Sequence, residues 1–192
     1  MRLKFAVLVG SVRSDRQALK AARFVERSLA ARTHDAIVVD PAALQLPILD
    51  RMYKEYAPGE APPMLEELAA LYRSVDGFVI VSGEYNHSIP PALSNLLDHF
   101  LEEYFWRPSA IVCYSTGAFG GVRAAMQLRA MLCELGTPSI PSLFPIPAVQ
   151  KAIDADGTAL EPALTRRFPK FAKELEWYAE ALRERRQRGV PY

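Results

Sequence analysis

Residues 3–17 read LKFAVLVGSVRSDRQ, and the fold expected for the whole chain follows from this stretch. Residues 3–9 form a short, mainly apolar run that stops at Gly10, and hydroxyl and guanidinium side chains come next. An apolar run of this length, bounded by a glycine, predicts a strand that is buried on both faces. A helical period begins near Gln17, so the stretch predicts a strand, a polar loop and a helix.

The same unit recurs along the chain. Apolar runs rich in β-branched residues predict strands at residues 3–9, 36–39, 77–81, 110–114 and 139–144. Segments of helical period predict helices at residues 17–33, 64–75, 91–105, 122–135 and 162–188. Such alternation is typical of crossover units on a parallel sheet. Five units are too few for an eight-stranded barrel, so they favour a flavodoxin-like, doubly wound α/β fold: five parallel strands in the order 2-1-3-4-5 with helices on both faces.

Length and composition exclude several classes of protein. Half of the 192 residues are apolar, so we expect a single domain over residues 1–192. The formal charge of +1 provides no basic surplus for binding nucleic acid. The N-terminal apolar run is too short for a signal peptide and no run approaches membrane-spanning length, so we expect a cytoplasmic protein with no membrane partner. Cys113 and Cys133 lie outside any Cys-x-x-Cys or Cys/His cluster and are expected to be free thiols.

The loop after the first strand is a candidate phosphate site. In doubly wound sheets, ligands bind beyond the carboxyl ends of the strands where the strand order reverses. The loop has neither G-x-G-x-x-G nor the Gly-Lys-Ser/Thr of a P-loop. Its hydroxyls, guanidinium groups and helix N-terminal amides suit a phosphate monoester: Ser11, Ser14, Arg13, Arg16, Gln17 and Ala18. The alternative is that a serine merely caps the helix while both arginines are solvated.

Two further loops leave the same edge of the predicted sheet. Strand 3 runs into residues 83–91 (GEYNHSIPP), and strand 4 runs into residues 115–123 (STGAFGGVR). Glycines there allow a ligand to approach the backbone, and Tyr85 and Asn86 offer a wall for a planar ring. Each loop alone is equally compatible with an ordinary turn. Their convergence on one crevice favours a binding site.

Four blocks of the sequence resemble the NADPH-dependent FMN reductase family, which includes quinone, azo-dye and chromate reductases. Gly10-Ser11-x-Arg13-x-x-Arg16 resembles the family's phosphate loop. Residues 84–90 (EYNHSIP), followed by Ala92-Leu93-x-Asn95-x-x-Asp98, resemble its flavin-ring motif. Residues 120–129 (GGVRAAMQLR) resemble the helix after its third loop, and residues 46–50 (LPILD) the segment after strand 2.

The resemblance implies a flavoprotein that binds FMN and uses NADPH or NADH as electron donor. It assigns the FMN phosphate to Ser11, Arg13, Arg16, Gln17 and Ala18. It assigns the isoalloxazine ring to Glu84, Tyr85, Asn86 and His87, and the remaining edge of the ring to Ser115, Thr116 and Gly117. It also implies a homodimer or homotetramer with the flavin near the interface, where we expect Tyr53, Tyr56 and Trp106 to line an acceptor pocket.

Two positions depart from the family pattern. Gly83 stands where the family usually has proline, which predicts a looser backbone beside the ring. Ser115-Thr116-Gly117 stands where the family often has Tyr-Gly-Gly, which leaves the contacts of the third loop open.

The function implied is ping-pong transfer of a hydride from NADPH to flavin and then of electrons to a small acceptor: a quinone, an azo compound, a metal oxyanion or free flavin. We predict no catalytic side chain, because the flavin carries the reactivity and His87 has no nucleophile with an orienting carboxylate beside it. We predict no metal, because the histidines lack ligand spacing.

The alternative is a flavin-binding electron carrier or redox sensor without nicotinamide turnover. The sequence leaves open whether FMN is a prosthetic group or a dissociable substrate.

Overall fold

A five-stranded parallel sheet forms the centre of the protein. The computed structural model describes residues 1–192. The strands are β1 (Lys4–Val9), β2 (Asp35–Val39), β3 (Gly77–Ser82), β4 (Ser109–Tyr114) and β5 (Ser139–Ile146). They lie in the order β2-β1-β3-β4-β5, and every neighbouring pair is parallel. This order confirms the predicted doubly wound, flavodoxin-like fold.

Five long helices and several short ones connect the strands. The helices are α1 (Ala18–Ala30), α2 (Pro41–Leu44), α3 (Pro63–Ser74), α4 (Pro91–Asp98), α5 (Val122–Glu134), α6 (Val149–Ala152) and α7 (Pro162–Gln187), with 3-10 turns at Tyr53–Glu55 and Glu102–Tyr104. The sequence predicts the long helices but neither α2 nor α6, which are single turns. None of the helices has both the length and the apolar character needed to cross a membrane.

The helix predicted at residues 91–105 is wrong in its second half. Helix α4 ends at Asp98, and the 3-10 turn at Glu102–Tyr104 follows after a break. The break lets Phe100 and Tyr104 pack against Tyr72 of α3, with ring centroids 4.9 and 5.5 Å apart. The apolar spacing of this segment therefore reflects aromatic packing and not a continuous helix.

Each strand of the sheet contributes to two hydrophobic cores. On β1, Phe5, Val7 and Val9 face the layer that contains α1 and α7, whereas Ala6 and Leu8 face the layer that contains α3, α4 and α5. Because successive side chains of a strand point to opposite faces, a strand covered on both sides must be apolar throughout. This explains why β1 shows no alternation of polar and apolar residues.

The first loop leaves the sheet beside β3 because residue 10 is a glycine. The Gly10 N–H donates to the Val81 carbonyl at 2.9 Å. A Cβ at this position would lie 2.5 Å from the same oxygen, so no other residue fits without moving the backbone. Gly10 thus brings the loop after β1 against the end of β3.

A cluster of polar side chains joins α7 to the start of the sheet. The Leu3 N–H donates to His34 Nδ1 at 3.2 Å, so Nε2 carries the ring proton and donates to Glu176 Oε1 at 3.0 Å. Arg32 donates to both carboxylate oxygens of Glu176 at 2.5 and 2.7 Å. Burial favours the neutral acid, but the hydrogen bonds from Arg32 and His34 outweigh it and lower the pKa of Glu176.

We expect Glu176→Gln to lower the free energy of unfolding by about 2 kcal/mol at pH 7, because two donors lose a charged acceptor. A carboxylate whose pKa is lowered on folding stabilises the protein above its unfolded pKa, ordinarily 4.5, and this contribution is lost as the pH falls through the folded pKa. The difference between wild type and variant in urea unfolding should therefore shrink below about pH 4.5. Glu184→Gln, on the exposed side of α7, is the control. A difference that does not vary with pH would contradict this account of the cluster.

Candidate functional site

Three loops meet in one cleft at the carboxyl edge of the sheet. They follow β1, β3 and β4, and the cleft has a volume of about 220 Å³. Its lining residues are Ser11, Arg13, Asp15, Arg16, Gln17, Gly83, Glu84, Tyr85, Tyr114, Ser115 and Thr116. The cleft lies where β1 and β3 are neighbours, which is the point of the sheet where the strand order reverses.

The structure brings together most of the residues that the sequence suggests. The predicted site residues that do not line the cleft are Ser14, Ala18, Asn86, His87 and Gly117. Three lining residues are missing from the prediction: Asp15, Gly83 and Tyr114. Asp15 and Gly83 belong to the loops that the sequence singles out, so their position was a usable signal. Tyr114 reads as the end of a buried strand, and nothing local marks it as a lining residue.

Ser11 connects the first loop to the second. Its side chain is buried, and its Oγ lies 2.8 Å from the hydroxyl of Tyr85. The N-cap of α1 is Gln17, which makes no side-chain capping bond, so neither Ser11 nor Ser14 caps this helix. The capping interpretation of the serines is therefore wrong. The first amides of α1 are left without a side-chain acceptor at the cleft.

The two arginines of the first loop have different environments. Arg16 forms a bidentate pair with Asp40, at 2.7 and 2.5 Å, and also donates to the Ser11 carbonyl at 3.2 Å. Its side chain is only 15% exposed, so Arg16 fixes the shape of the loop. Arg13 is 63% exposed and pairs with Asp15 through two hydrogen bonds of 3.0 and 3.2 Å. Arg13 is the guanidinium that a ligand in the cleft can reach.

The carboxylate of Glu84 holds helix α5. Its Oε2 accepts from the Arg123 and Ala124 N–H groups at 3.1 and 3.3 Å, and Arg123 Nη1 lies 3.6 Å from Oε1. These amides begin α5, whose N-cap Gly121 has no side chain to offer. A carboxylate is favoured there by the partial positive charge of the helix N-terminus. Glu84 therefore joins the second loop to the start of α5, and it also lines the cleft.

Residues 85–88 reverse the chain in a tight turn. Tyr85 and Ser88 exchange two backbone hydrogen bonds of 3.0 and 2.9 Å, and Asn86 and His87 between them have positive φ angles of 51° and 63°. Two left-handed residues inside a bonded pair are the pattern of a type I′ turn. Gln127 of α5 secures the turn: its Nε2 donates to the His87 carbonyl at 2.8 Å, and its Oε1 accepts from Ser88 Oγ at 2.7 Å.

Tyr114 lies against one glycine of the second loop and one glycine of the third loop. A Cβ at Gly121, where φ is 78°, would lie 2.6 Å from the Tyr114 carbonyl. A Cβ at Gly83 would lie 2.9 Å from the Tyr114 hydroxyl, so the Tyr114 side chain fills the space beside Gly83. Ser115 Oγ donates to the Gly117 carbonyl at 3.0 Å and accepts from the Gly120 N–H at 2.9 Å. Burial raises the pKa of Tyr114, which keeps its phenol protonated.

The aromatic residues expected to line an acceptor pocket lie outside the cleft. Tyr53 donates to Glu66 at 2.6 Å, and the guanidinium of Arg51 covers the Tyr56 ring at 4.1 Å. Trp106 precedes β4 at the amino edge of the sheet, where it contacts Tyr192 at 5.0 Å between centroids. Within one chain, none of the three lines the cleft.

Neither a metal centre nor a reactive thiol adjoins the cleft. No group of three or more His, Cys, Asp and Glu side chains is arranged to hold a metal ion. Cys113 and Cys133 are both free, as predicted. Burial raises the pKa of Cys113 to about 12, so its thiol is not ionised near neutral pH.

Comparison with known proteins gives consistent matches. The model of the NADPH-dependent FMN reductase family matches residues 3–151. A 2-hydroxy-1,4-benzoquinone reductase from Burkholderia sp is 31% identical over 193 residues, which cover 97% of this chain and 100% of that protein. A quinone reductase from Pseudomonas putida is 32% identical over 143 residues, which cover 69% of this chain and 71% of that protein.

A solved structure supports the fold separately. FerB, a flavoenzyme NAD(P)H:acceptor oxidoreductase from Paracoccus denitrificans, superposes with a TM-score of 0.73 at 21% identity, over 95% of this chain and 98% of that one. At that identity the likeness shows the fold alone. The family match confirms the predicted resemblance, and with it an oxidoreductase that uses FMN and NAD(P)H. The chain therefore belongs to the NADPH-dependent FMN reductase family.

Proposed function

We propose that this chain is a ping-pong reductase that moves two electrons from NADPH or NADH to a quinone. The observation that carries the proposal is the single cleft at the β1–β3 switch point, where the accessible guanidinium of Arg13 lies beside the uncapped N-terminus of α1. FMN, when bound, supplies the redox chemistry by accepting a hydride and passing its electrons on. The names of the Burkholderia and Pseudomonas relatives support a quinone as acceptor.

We propose that the phosphate of FMN lies in the first loop. Arg13 offers a forked donor, and the N-terminal amides of α1 at Gln17 and Ala18 offer further N–H groups. The Oε1 atom of Gln17 is buried without a partner, while its Nε2 donates to the Asp15 carbonyl at 2.9 Å. The Gln17 side chain therefore braces the loop through Asp15, and the donors offered to the phosphate are the Arg13 guanidinium and the backbone amides. Ser11 and Arg16 shape the loop around the group.

We propose that the isoalloxazine ring lies between the second and third loops. The type I′ turn at residues 85–88 and the loop at residues 115–117 form the two sides, and Glu84 and Gln127 hold the turn to α5. Donors that are fixed before a ligand arrives stabilise negative charge without a cost of reorganisation. The rigidity of the turn is therefore part of the proposed site, even though Asn86 and His87 stand outside the cleft lining.

We also propose that the functional form is a homodimer or homotetramer. Large apolar side chains are exposed beside the third loop and along α5: Phe119 is 63% exposed and Met126 is 50% exposed. Burying such side chains against a second copy would remove apolar area from water next to the cleft.

Replacement Arg13→Ala should weaken FMN binding about tenfold or more, because a charge-assisted hydrogen bond to the phosphate is lost. Turnover at saturating FMN should change little, since Arg13 is placed at the phosphate and not at the reacting ring. Fluorescence titration of the apoprotein gives the affinity, and Arg2→Ala at the opposite edge of the sheet is the matched control. Unchanged FMN affinity in Arg13→Ala would contradict the assignment of Arg13 to the phosphate.

Replacement Gln127→Ala should weaken the binding of riboflavin and of FMN by the same factor, about three- to tenfold. The reason is that Gln127 secures the turn beside the ring and has no role at the phosphate. Glu134→Gln, an exposed position at the other end of α5, is the control. A loss confined to FMN would show that the turn does not hold the ring.

Anaerobic stopped-flow mixing of the FMN-loaded protein with NADPH tests the function directly. The visible flavin absorbance should bleach, and it should return when benzoquinone is added. Steady-state rates at several fixed quinone concentrations should give parallel double-reciprocal lines, as a ping-pong mechanism requires. Converging lines would exclude the ping-pong order. A flavin that NADPH does not bleach would leave an electron carrier or sensor as the function.

A further inference from the structure

Both arginines of the first loop already have a carboxylate partner. Arg16 is paired with Asp40, and Arg13 is paired with Asp15. Glu84, the other carboxylate that lines the cleft besides Asp15, is paired with Arg123. The side chains around the proposed phosphate position therefore carry no surplus positive charge, although the phosphate of FMN is a dianion.

The two arginine pairs differ in how firmly they are held. The side chains of Arg16 and Asp40 are 15% and 16% exposed, and Asp40 also accepts from the Ala42 N–H at 3.1 Å to cap α2. Arg13 and Asp15 are 63% and 71% exposed, and Asp15 has no such second task. Exposed ion pairs contribute little to stability, so Arg13 can exchange its partner.

Asp15 accepts hydrogen bonds from the guanidinium nitrogens of Arg13 that a phosphate would need. Its two oxygens accept from Nε and Nη2, the same fork that binds a phosphate with two parallel hydrogen bonds. Asp15 also lines the cleft. It is two residues from Arg13 in the same loop, so it stays near after it is displaced. A bound phosphate then faces an unpaired carboxylate, and like charges repel.

We infer that Asp15 competes with the phosphate of FMN for Arg13 and so makes the flavin exchangeable. The inference rests on the proposed phosphate site. It assigns Asp15 as the residue that sets flavin affinity and that limits the preference for FMN over flavins without a phosphate. The sequence leaves open whether FMN is a prosthetic group or a dissociable substrate, and this inference favours a dissociable flavin.

The experiment compares flavin affinities of the apoprotein by fluorescence titration. Asp15→Asn should tighten FMN binding about three- to tenfold, because it removes one negative charge beside the phosphate and frees Arg13. Riboflavin, which has no phosphate, should bind both proteins equally. The dissociation rate of FMN should fall by a similar factor. Asp35→Asn, which removes an exposed carboxylate paired with Arg2 at the other edge of the sheet, should change neither affinity.

The outcomes separate this inference from the function it rests on. If Asp15→Asn leaves FMN affinity unchanged or weakens it while Arg13→Ala still loses FMN, the competition is wrong and the phosphate site stands. If Asp15→Asn tightens riboflavin as much as FMN, the effect does not involve the phosphate and the inference falls. If neither variant alters FMN binding although both melt as wild type does, the phosphate site itself is misplaced.

Discussion

The pairing of β1 with β3 is the constraint on which the site depends. Residue 10 follows Val9, which is in register with Val81, and its N–H bonds to the carbonyl of Val81 itself. Only glycine fits at this approach. Because chain segments that are distant in sequence leave the sheet side by side, their loops can share hydrogen bonds such as that between Ser11 and Tyr85. The cleft is thus a consequence of strand order, and the loop side chains refine it.

The loops are held together by polar side chains that reach from one to the next. Arg16 connects the first loop to the end of β2, and Glu84 and Gln127 connect the second loop to α5. Side chains that bridge two segments through several hydrogen bonds fix a single arrangement of the backbone. The exposed pair of Arg13 and Asp15 is the exception. Rigid surroundings with one exchangeable ion pair suit a site that a charged ligand enters and leaves.

The strands, their order and the three loops could be predicted from sequence because they follow from local apolar runs and from general rules of parallel sheets. The tasks of individual side chains could not. Arg16 and Glu84 both read as ligand contacts, yet their partners, Asp40 and the first amides of α5, are distant in sequence and are neighbours only in the fold. The helix predicted through Phe105 failed for a similar reason, since contacts with Tyr72 satisfy the same apolar residues without helical geometry.

The polar cluster that joins Leu3, His34 and Glu176 has a consequence for biosynthesis. Its first two members leave the ribosome early, whereas the third lies on the last helix of the chain. Until α7 is made, the apolar rings of Phe24 and Phe144, against which Phe168 packs, are not covered by that helix. Domains of this size expose apolar surface while they are incomplete, and such surface promotes aggregation. The nascent chain is therefore most prone to aggregate just before α7 docks.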